Sequence, residues 1–431
     1  VRPADRCDEG RVLTLFEGGG LNMASAAVGR TARTSANLLV LLLGCAIFLN
    51  YVDRGALPTA APVLKGELKL SNEAYGFAVS AFFWVYAPIQ LFAGWLCDRF
   101  SVYKLLATGI LIWAASTLAM GFVGGFASLL VLRIMLGVGE SLAFPGSSKI
   151  IARHVPPERR GIANAALAMG IALGPAVGTL AGGLMVAHWG WRAMFLVFGA
   201  VTLLWLLPWA RAVRGLDDGL GADEGPRVAA AVLLRKWPLW SMSIVHCLGN
   251  YCFYFLLAWL PLFLTKSRGF SITEMTLLAS LGYAVQGICA FGYGHFSDRW
   301  TRSGRSEASC RRWMMVASQS LAAVSILGLA YAHSATSIGL LLCLAGAASA
   351  SLSMNLYAIA QMFAGPRASG TWVGFQNSLG NLSGIFGPIV TGIIVDRAGY
   401  ESAFYLTAAV AAFGALWWAY GVPQIRQVHL D

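Results

Sequence analysis

Long apolar runs separated by short polar clusters dominate the chain. Twelve runs reach the roughly 20 residues a helix needs to cross the hydrocarbon core of a bilayer. They are 37–60, 75–96, 103–122, 126–149, 162–187, 192–211, 239–264, 275–297, 312–332, 337–363, 371–394 and 402–421. In hydrocarbon every backbone N–H and C=O must find its partner within the segment, so each run predicts an α-helix. Glycine recurs at four-residue spacing at Gly170, Gly174, Gly178 and Gly182, a pattern that lets helices approach closely. The pattern predicts an all-α polytopic membrane protein with twelve transmembrane helices.

Composition points the same way. Of 431 residues, 57% are hydrophobic and 12% are charged, against about 25% charged in soluble domains. So little polar surface excludes disorder and argues against a soluble multidomain enzyme. The net charge of +11 does not predict nucleic-acid binding, because the basic residues sit in clusters between apolar runs rather than on one face. Cys45, Cys247, Cys252, Cys289 and Cys343 lie inside apolar runs and read as small buried hydrophobes. No metal-ligand spacing occurs, and no cofactor is expected.

The basic clusters set the orientation. Of the 31 Lys and Arg residues, 23 fall on the side that carries both termini, six on the other side, and Arg54 and Arg133 inside spans. An excess of Lys and Arg in cytoplasmic loops places both termini in the cytoplasm, with a bacterial inner membrane as the expected location. The expected organisation is a flexible cytoplasmic tail over 1–36, a six-helix bundle over 37–211 and a central cytoplasmic loop over 212–236. A second six-helix bundle follows over 237–421, then a short cytoplasmic tail over 422–431, in a chain expected to act as a monomer.

The two bundles resemble each other. Gly94-x-x-x-Asp98-Arg99 ends the second span and Gly294-x-x-x-Asp298-Arg299 ends the eighth, 200 positions later. Gly174-Pro175 in the fifth span is matched by Gly387-Pro388 in the eleventh, and Gly190-Trp191 before the sixth by Gly399-Tyr400 before the twelfth. Two parallel six-helix halves resemble the major facilitator superfamily, whose substrate site lies between the halves near the bilayer midplane. The Gly-x-x-x-Asp-Arg pair is similar to that superfamily's cytoplasmic loop signature, with Ser101 and Thr301 where a glycine is usual. The resemblance implies a gating clasp by Asp98, Arg99, Asp298 and Arg299.

Four ionisable residues stand within spans of the first half: Asp53, Arg54, Arg133 and Glu140. Each costs about 2.5 kcal/mol or more in hydrocarbon unless paired or wetted. A purely structural cluster is disfavoured, because apolar replacements usually serve stability as well. Arg133 and Glu140 are seven positions apart and share a helix face, with about 10 Å between their levels. Asp53 and Arg54 point about 100° apart, so one can face a cavity while the other faces a neighbouring helix. Asn50, Tyr51, Tyr86 and Gln90 surround them. One cation among hydrogen-bond donors suits a small organic acid.

Asn50-Tyr51-Val52-Asp53-Arg54, Arg133 with Gly139-Glu140-Ser141-x-x-Phe144-Pro145, and Pro157-Glu158-Arg159-Arg160-Gly161 resemble the anion:cation symporter family of the superfamily. That family includes hexuronate, galactonate and glucarate transporters, sialin and the vesicular glutamate carriers. The resemblance implies proton-coupled uptake of a small organic anion, with a sugar acid as the first expectation and an aromatic or dicarboxylic acid as an alternative. It implies that Arg54 binds the substrate carboxylate beside Tyr51 and Tyr86. Asp53 and Glu140 would carry protons, and Arg133 would partner Glu140. Asn377 and Asn381, four apart on one face of the eleventh span, match the family's paired asparagines. Gln90, the Asn250 and Tyr254 pair in the seventh span, and Tyr357 in the tenth complete the candidate substrate contacts. The fifth span reads Met169-Gly170-Ile171 where sugar-acid members carry a polar residue. Gly161, Gly170, Gly174, Pro175 and Gly178 resemble the fifth-helix signature of drug–proton antiporters, which keeps efflux antiport as an alternative. His246 in the seventh span reads as a helix-packing residue or a group that titrates near neutral pH. No nucleophile–base constellation predicts an enzyme.

Overall fold

A computed structural model describes residues 18–156, 159–216 and 230–429. Among the described residues the secondary structure is helical throughout. Ten helical stretches are long and apolar enough to cross a membrane. Two of them, Ile162–Ala212 and Ala368–Gly421, are 51 and 54 residues long and carry two crossings each, which gives twelve. The first is divided at Gly190, with φ +82°, and the second at Gly399, with φ +81°. Only glycine adopts this left-handed backbone without strain, so the matched Gly190-Trp191 and Gly399-Tyr400 motifs are the reversals before the sixth and twelfth crossings.

Helix α1, Gly18–Glu67, begins inside the segment expected to be a flexible tail. The stretch Met23-Ala24-Ser25-Ala26-Ala27 favours helix, and no proline interrupts the helix before Pro58. Extending a helix already anchored by the first span adds one bond per residue fixed. Helix α2, Asn72–Arg99, is capped by Ser71, whose hydroxyl accepts from the Ala74 N–H at 3.0 Å. Helix α3, Val102–Met120, forms the third span.

The fourth span is not the continuous helix predicted over 126–149. It consists of α4, Phe126–Glu140, and α5, Ala143–His154. Pro145 lacks the N–H that would bond the carbonyl of Ser141, so the helix parts one residue after Glu140. Helix α6, Arg160–Ala212, holds the fifth and sixth spans. A short helix, α7 at Ala230–Leu234, lies within the segment assigned to the central loop.

In the second half, α8 is Trp237–Leu262, α9 is Ile272–Arg302 and α10 is Glu307–Tyr331. Ser271 and Glu274 form a reciprocal capping box at the start of α9, 200 positions after Ser71, the same offset as the loop motifs. Helix α11, Ala335–Gly380, is broken at Gly365 with φ +65°. Helix α12 is Leu382–Leu416. The last described residues pack rather than trail: Val422 and Ile425 are buried, and the Val428 N–H donates to the Phe363 carbonyl at 2.8 Å.

The halves meet tightly on the face opposite the termini. Asp396 accepts from the Asn72 amide at 2.7 Å and from the Glu73 N–H at 2.9 Å, so a carboxylate of the second half caps the N-terminus of α2. Deeper along α2, the Tyr75 hydroxyl donates to the Ala258 carbonyl at 2.9 Å and the Ser80 hydroxyl to the Ile385 carbonyl at 2.7 Å. A methyl at Gly76 would lie 2.3 Å from the Pro388 oxygen, so only glycine allows this approach. Ser80 is fully buried in this seam. In an isosteric Ser80→Cys protein, adding Asp396→Ala is expected to raise the rate of maleimide labelling at position 80 several-fold. An unchanged rate would show that Asp396 does not hold the seam.

Candidate functional site

Two of the four costly charges of the first half meet directly. Arg54 leaves α1 and donates Nε to Glu140 Oε2 of α4 at 2.7 Å, with side-chain exposures of 9% and 0%. Three rings of the first half enclose it. Its Cζ lies 5.1 Å from the centroid of Tyr51, 5.1 Å from Phe82 and 4.6 Å from Tyr86. Aromatic faces stabilise a desolvated cation without neutralising it. Arg54 Nη2 is buried and has no acceptor, and the Asn50 side chain lies against Glu140. A buried guanidinium nitrogen without an acceptor is uncommon in folded proteins.

Arg133 lies within electrostatic range of Glu140 but does not bond it directly. Its Nε and Nη2 donate to the carbonyls of Ala78 and Val79 at 3.1 and 3.2 Å, and its Cζ packs 5.2 Å from the Phe82 centroid. The shared face of Arg133 and Glu140 puts them two turns apart along one helix, whereas Arg54 reaches Glu140 directly from α1. Arg133 instead ties α4 to α2. Asp53 points away from the pair into the first bundle. It accepts from Thr202 Oγ1 at 3.3 Å and lies against Trp113 and Thr117.

The second half supplies neutral polar groups. The Tyr254 hydroxyl donates to Asn381 Oδ1 at 2.5 Å, and the Tyr357 hydroxyl donates to Asn377 Oδ1 at 2.8 Å. Asn381 Nδ2 donates to the Asn377 carbonyl at 2.7 Å and to its Oδ1 at 3.1 Å. Tyr254 packs on Phe83 with centroids 4.6 Å apart and lies within electrostatic range of Arg54, Tyr51 and Tyr86. Tyr357 is likewise in range of Tyr51, Tyr86 and Arg54. Both halves therefore converge on Arg54. A narrow crevice lined in part by Gly55, Thr179, Leu256 and Tyr283 lies between the halves.

Two predicted contacts are committed to backbone. Gln90 Nε2 donates to the Ser141 carbonyl at 3.2 Å, the oxygen that Pro145 leaves without its helical donor. Asn250 Nδ2 donates to the Gly380 carbonyl at 3.3 Å, at the break between α11 and α12. The Asp98 side chain lies outside the described residues. Arg99, Asp298 and Arg299 are exposed. The Asp298 backbone carbonyl accepts from Arg302 Nε at 3.3 Å, and no described side chain pairs with the Asp298 or Arg299 side chain.

The glycine stripe packs on α1. A methyl at Gly170 would lie 2.8 Å from Phe48 N, at Gly174 2.5 Å from Tyr51 Cβ, and at Gly178 2.8 Å from Val52 Cα. The stripe thus seats the segment that carries Tyr51 and Arg54. Phe82 and Asp396 were not legible as functional. An apolar ring within an apolar run, and an acid at the end of a span, carry no signal of their own.

The sequence profile of the Major Facilitator Superfamily matches residues 43–310 and 264–428. The chain belongs to this superfamily, and it is a multi-pass membrane transporter rather than an enzyme. It is 29% identical over 387 residues to the probable sulfoacetate transporter SauU of Cupriavidus necator, covering 86% of this chain and 90% of that protein. It is 26% identical over 395 residues to the hexuronate transporter of Bacillus subtilis, covering 88% and 92%. Its fold matches the crystal structure of a bacterial homologue of the human lysosomal transporter Spinster with a TM-score of 0.76 at 19% identity, covering 88% and 95%.

The Gln90 bond is testable as a pair. Gln90→Leu leaves the Ser141 carbonyl without a donor and is expected to cost about 1–3 kcal/mol, read as a lower melting temperature in detergent. In a Pro145→Ala background, where residue 145 regains its N–H, the same change is expected to cost less. Equal losses in the two backgrounds would remove the proposed link.

Proposed function

We propose that this chain is a proton-coupled symporter that takes up a small organic carboxylate. Sugar acids are the class favoured by the resemblance and by the relative named as a hexuronate transporter. The observation that carries the reading is Arg54, a buried cation held by Glu140 through Nε while Nη2 has no acceptor. A carboxylate accepts two parallel N–H bonds from a guanidinium, and Tyr51 and Tyr86 stand beside that edge. Tyr254, Tyr357, Asn377 and Asn381 bind the rest of the substrate, each able to exchange an internal bond for one to the ligand.

Glu140 is the coupling acid. Ionised, it holds Arg54; protonated, it loses the charge-assisted part of that bond and releases the guanidinium to the substrate. Asp53 is a second proton carrier, set among Thr202, Trp113 and Thr117. Arg133 positions α4 against α2 and so fixes the height of Glu140. With substrate bound, the halves 37–211 and 237–421 rock around the site, joined by 212–236. The contacts of Asp396 and Ser80 release as the face opposite the termini opens. Asp98, Arg99, Asp298 and Arg299 gate the other face. The excess of basic residues on the terminal side supports a cytoplasmic location for both termini in a bacterial inner membrane. The site draws all its residues from one chain, so a monomer suffices. The packing of Gly170, Gly174 and Gly178 on α1 gives the glycine stripe a role that needs no efflux activity.

In proteoliposomes, Glu140→Gln is expected to keep substrate counterflow while abolishing accumulation driven by a proton gradient. Parallel loss of both would count against coupling through Glu140. Arg54→Ala is expected to weaken carboxylate binding on the order of a hundredfold; unaltered affinity would defeat the anion-site assignment.

A further inference from the structure

The carboxylate of Asp396 is bound as a ligand would be. Its Oδ1 accepts from Asn72 Nδ2 at 2.7 Å and its Oδ2 from the Glu73 N–H at 2.9 Å, so each oxygen has a donor at the start of α2. Lys65, near the end of α1, donates to Asn72 Oδ1 and so turns the amide nitrogen towards Asp396. The Lys65 ammonium also lies within electrostatic range of Asp396. All three groups around the carboxylate belong to the first half, and the carboxylate belongs to the second. Their approach depends on Gly392, one turn before Asp396, since a methyl there would lie 2.5 Å from the Asn72 carbonyl oxygen. Separation of the halves on this face withdraws Asp396 and keeps the three groups together, because Lys65 and Asn72 bond within one half.

The position of Lys65 matters as much as its bonds. It stands eleven residues after Arg54 on α1. That spacing is close to three turns, so the two cations share a helix face about 16 Å apart. The exposed Lys266 of the second half lies within electrostatic range of Lys65. The neighbouring acid Glu67 is paired with Arg192 at 2.5 Å.

We propose that Lys65, the Asn72 amide and the Glu73 N–H form an entry site for the substrate carboxylate, which Asp396 fills as an internal carboxylate while this face is shut. The proposal rests on the reading that Arg54 receives the anion. A helix N-terminus beside an ammonium group attracts a carboxylate, and a cationic mouth raises the encounter rate of an anionic solute. Asp396 and an incoming anion need the same donors, so the seam cannot shut over an anion still held at the mouth. The anion gives up those donors by passing along the shared face of α1 to Arg54, and Asp396 then closes the seam behind it.

Uptake kinetics from the outer side test this. Glucuronate, gluconate and benzoate serve as probes in right-side-out membrane vesicles that contain the full-length carrier and are energised by a proton gradient. Lys65→Gln is expected to raise the half-saturating external concentration about fivefold at an unchanged maximal rate, as the loss of one partly screened charge gives. Lys65→Arg is expected to keep the wild-type value, and salt at about 0.5 M to erase the difference. The same rise is expected in an Asp396→Ala background, where no contact with Asp396 remains to be weakened. Asp396→Asn takes its place if the alanine protein is not recovered from the membrane. A Lys65→Gln effect that vanishes in that background, or that falls on the maximal rate alone, overturns the entry site and leaves the Arg54 reading standing. Uptake of none of the probes, or uptake that Arg54→Ala leaves unchanged, overturns that reading and the entry site with it.

Discussion

The bond between Arg54 and Glu140 is the constraint on which the rest of the site depends. A guanidinium and a carboxylate withdrawn from water into a low-dielectric interior repay their desolvation only when the geometry is good and the remaining hydrogen-bonding capacity is used. Here the bond itself is short and direct, yet Arg54 Nη2 has no acceptor. The pair is thus held but not saturated. A fully satisfied pair would be a structural pin, and replacing it would offer no route for exchange. On the proposed reading, an unsaturated one is poised to trade one of its partners for an anion.

The surrounding scaffold works to keep that pair in place. Tyr51, Phe82 and Tyr86 enclose the guanidinium, and the glycines of the fifth span bring α6 close enough to brace α1 from behind. Arg133 fastens α4 to α2 by two carbonyls, and Gln90 closes the gap left by Pro145. These contacts lie within the first half. The second half meets them with a hydrogen-bonded chain of tyrosines and asparagines that carries no charge. The division gives one half the electrostatics and the other the shape.

The fold was largely legible because its signal is coarse. Twenty apolar residues in a row have few alternatives in a membrane, and the repeat of Gly-x-x-x-Asp-Arg, Gly-Pro and Gly-aromatic motifs marked the two halves. Arg54, Tyr51, Tyr86 and Tyr254 stood out because charges are rare in hydrocarbon and their neighbours are chemically suited to an anion. The pairing of Glu140 was not legible. Spacing along one helix gives the relation of Arg133 to Glu140, but the rotation of α1 against α4 is set by packing that no periodicity records. The break after Glu140 was written in Pro145, yet it is hidden in a run whose hydropathy continues unbroken. Asp396 escaped notice because an acid at a helix end is ordinarily solvated, and its role appears only when the opposite half is brought against it.

The joint between α4 and α5 separates two mechanical regimes in one crossing. The segment up to Glu140 is anchored to the bundle by Arg133, and the Gln90 amide holds the Ser141 carbonyl at the joint itself. Bending at that joint leaves the backbone ladder on either side whole. The break therefore lets the end of that crossing tilt, on the proposed rocking, without turning the acid that precedes it.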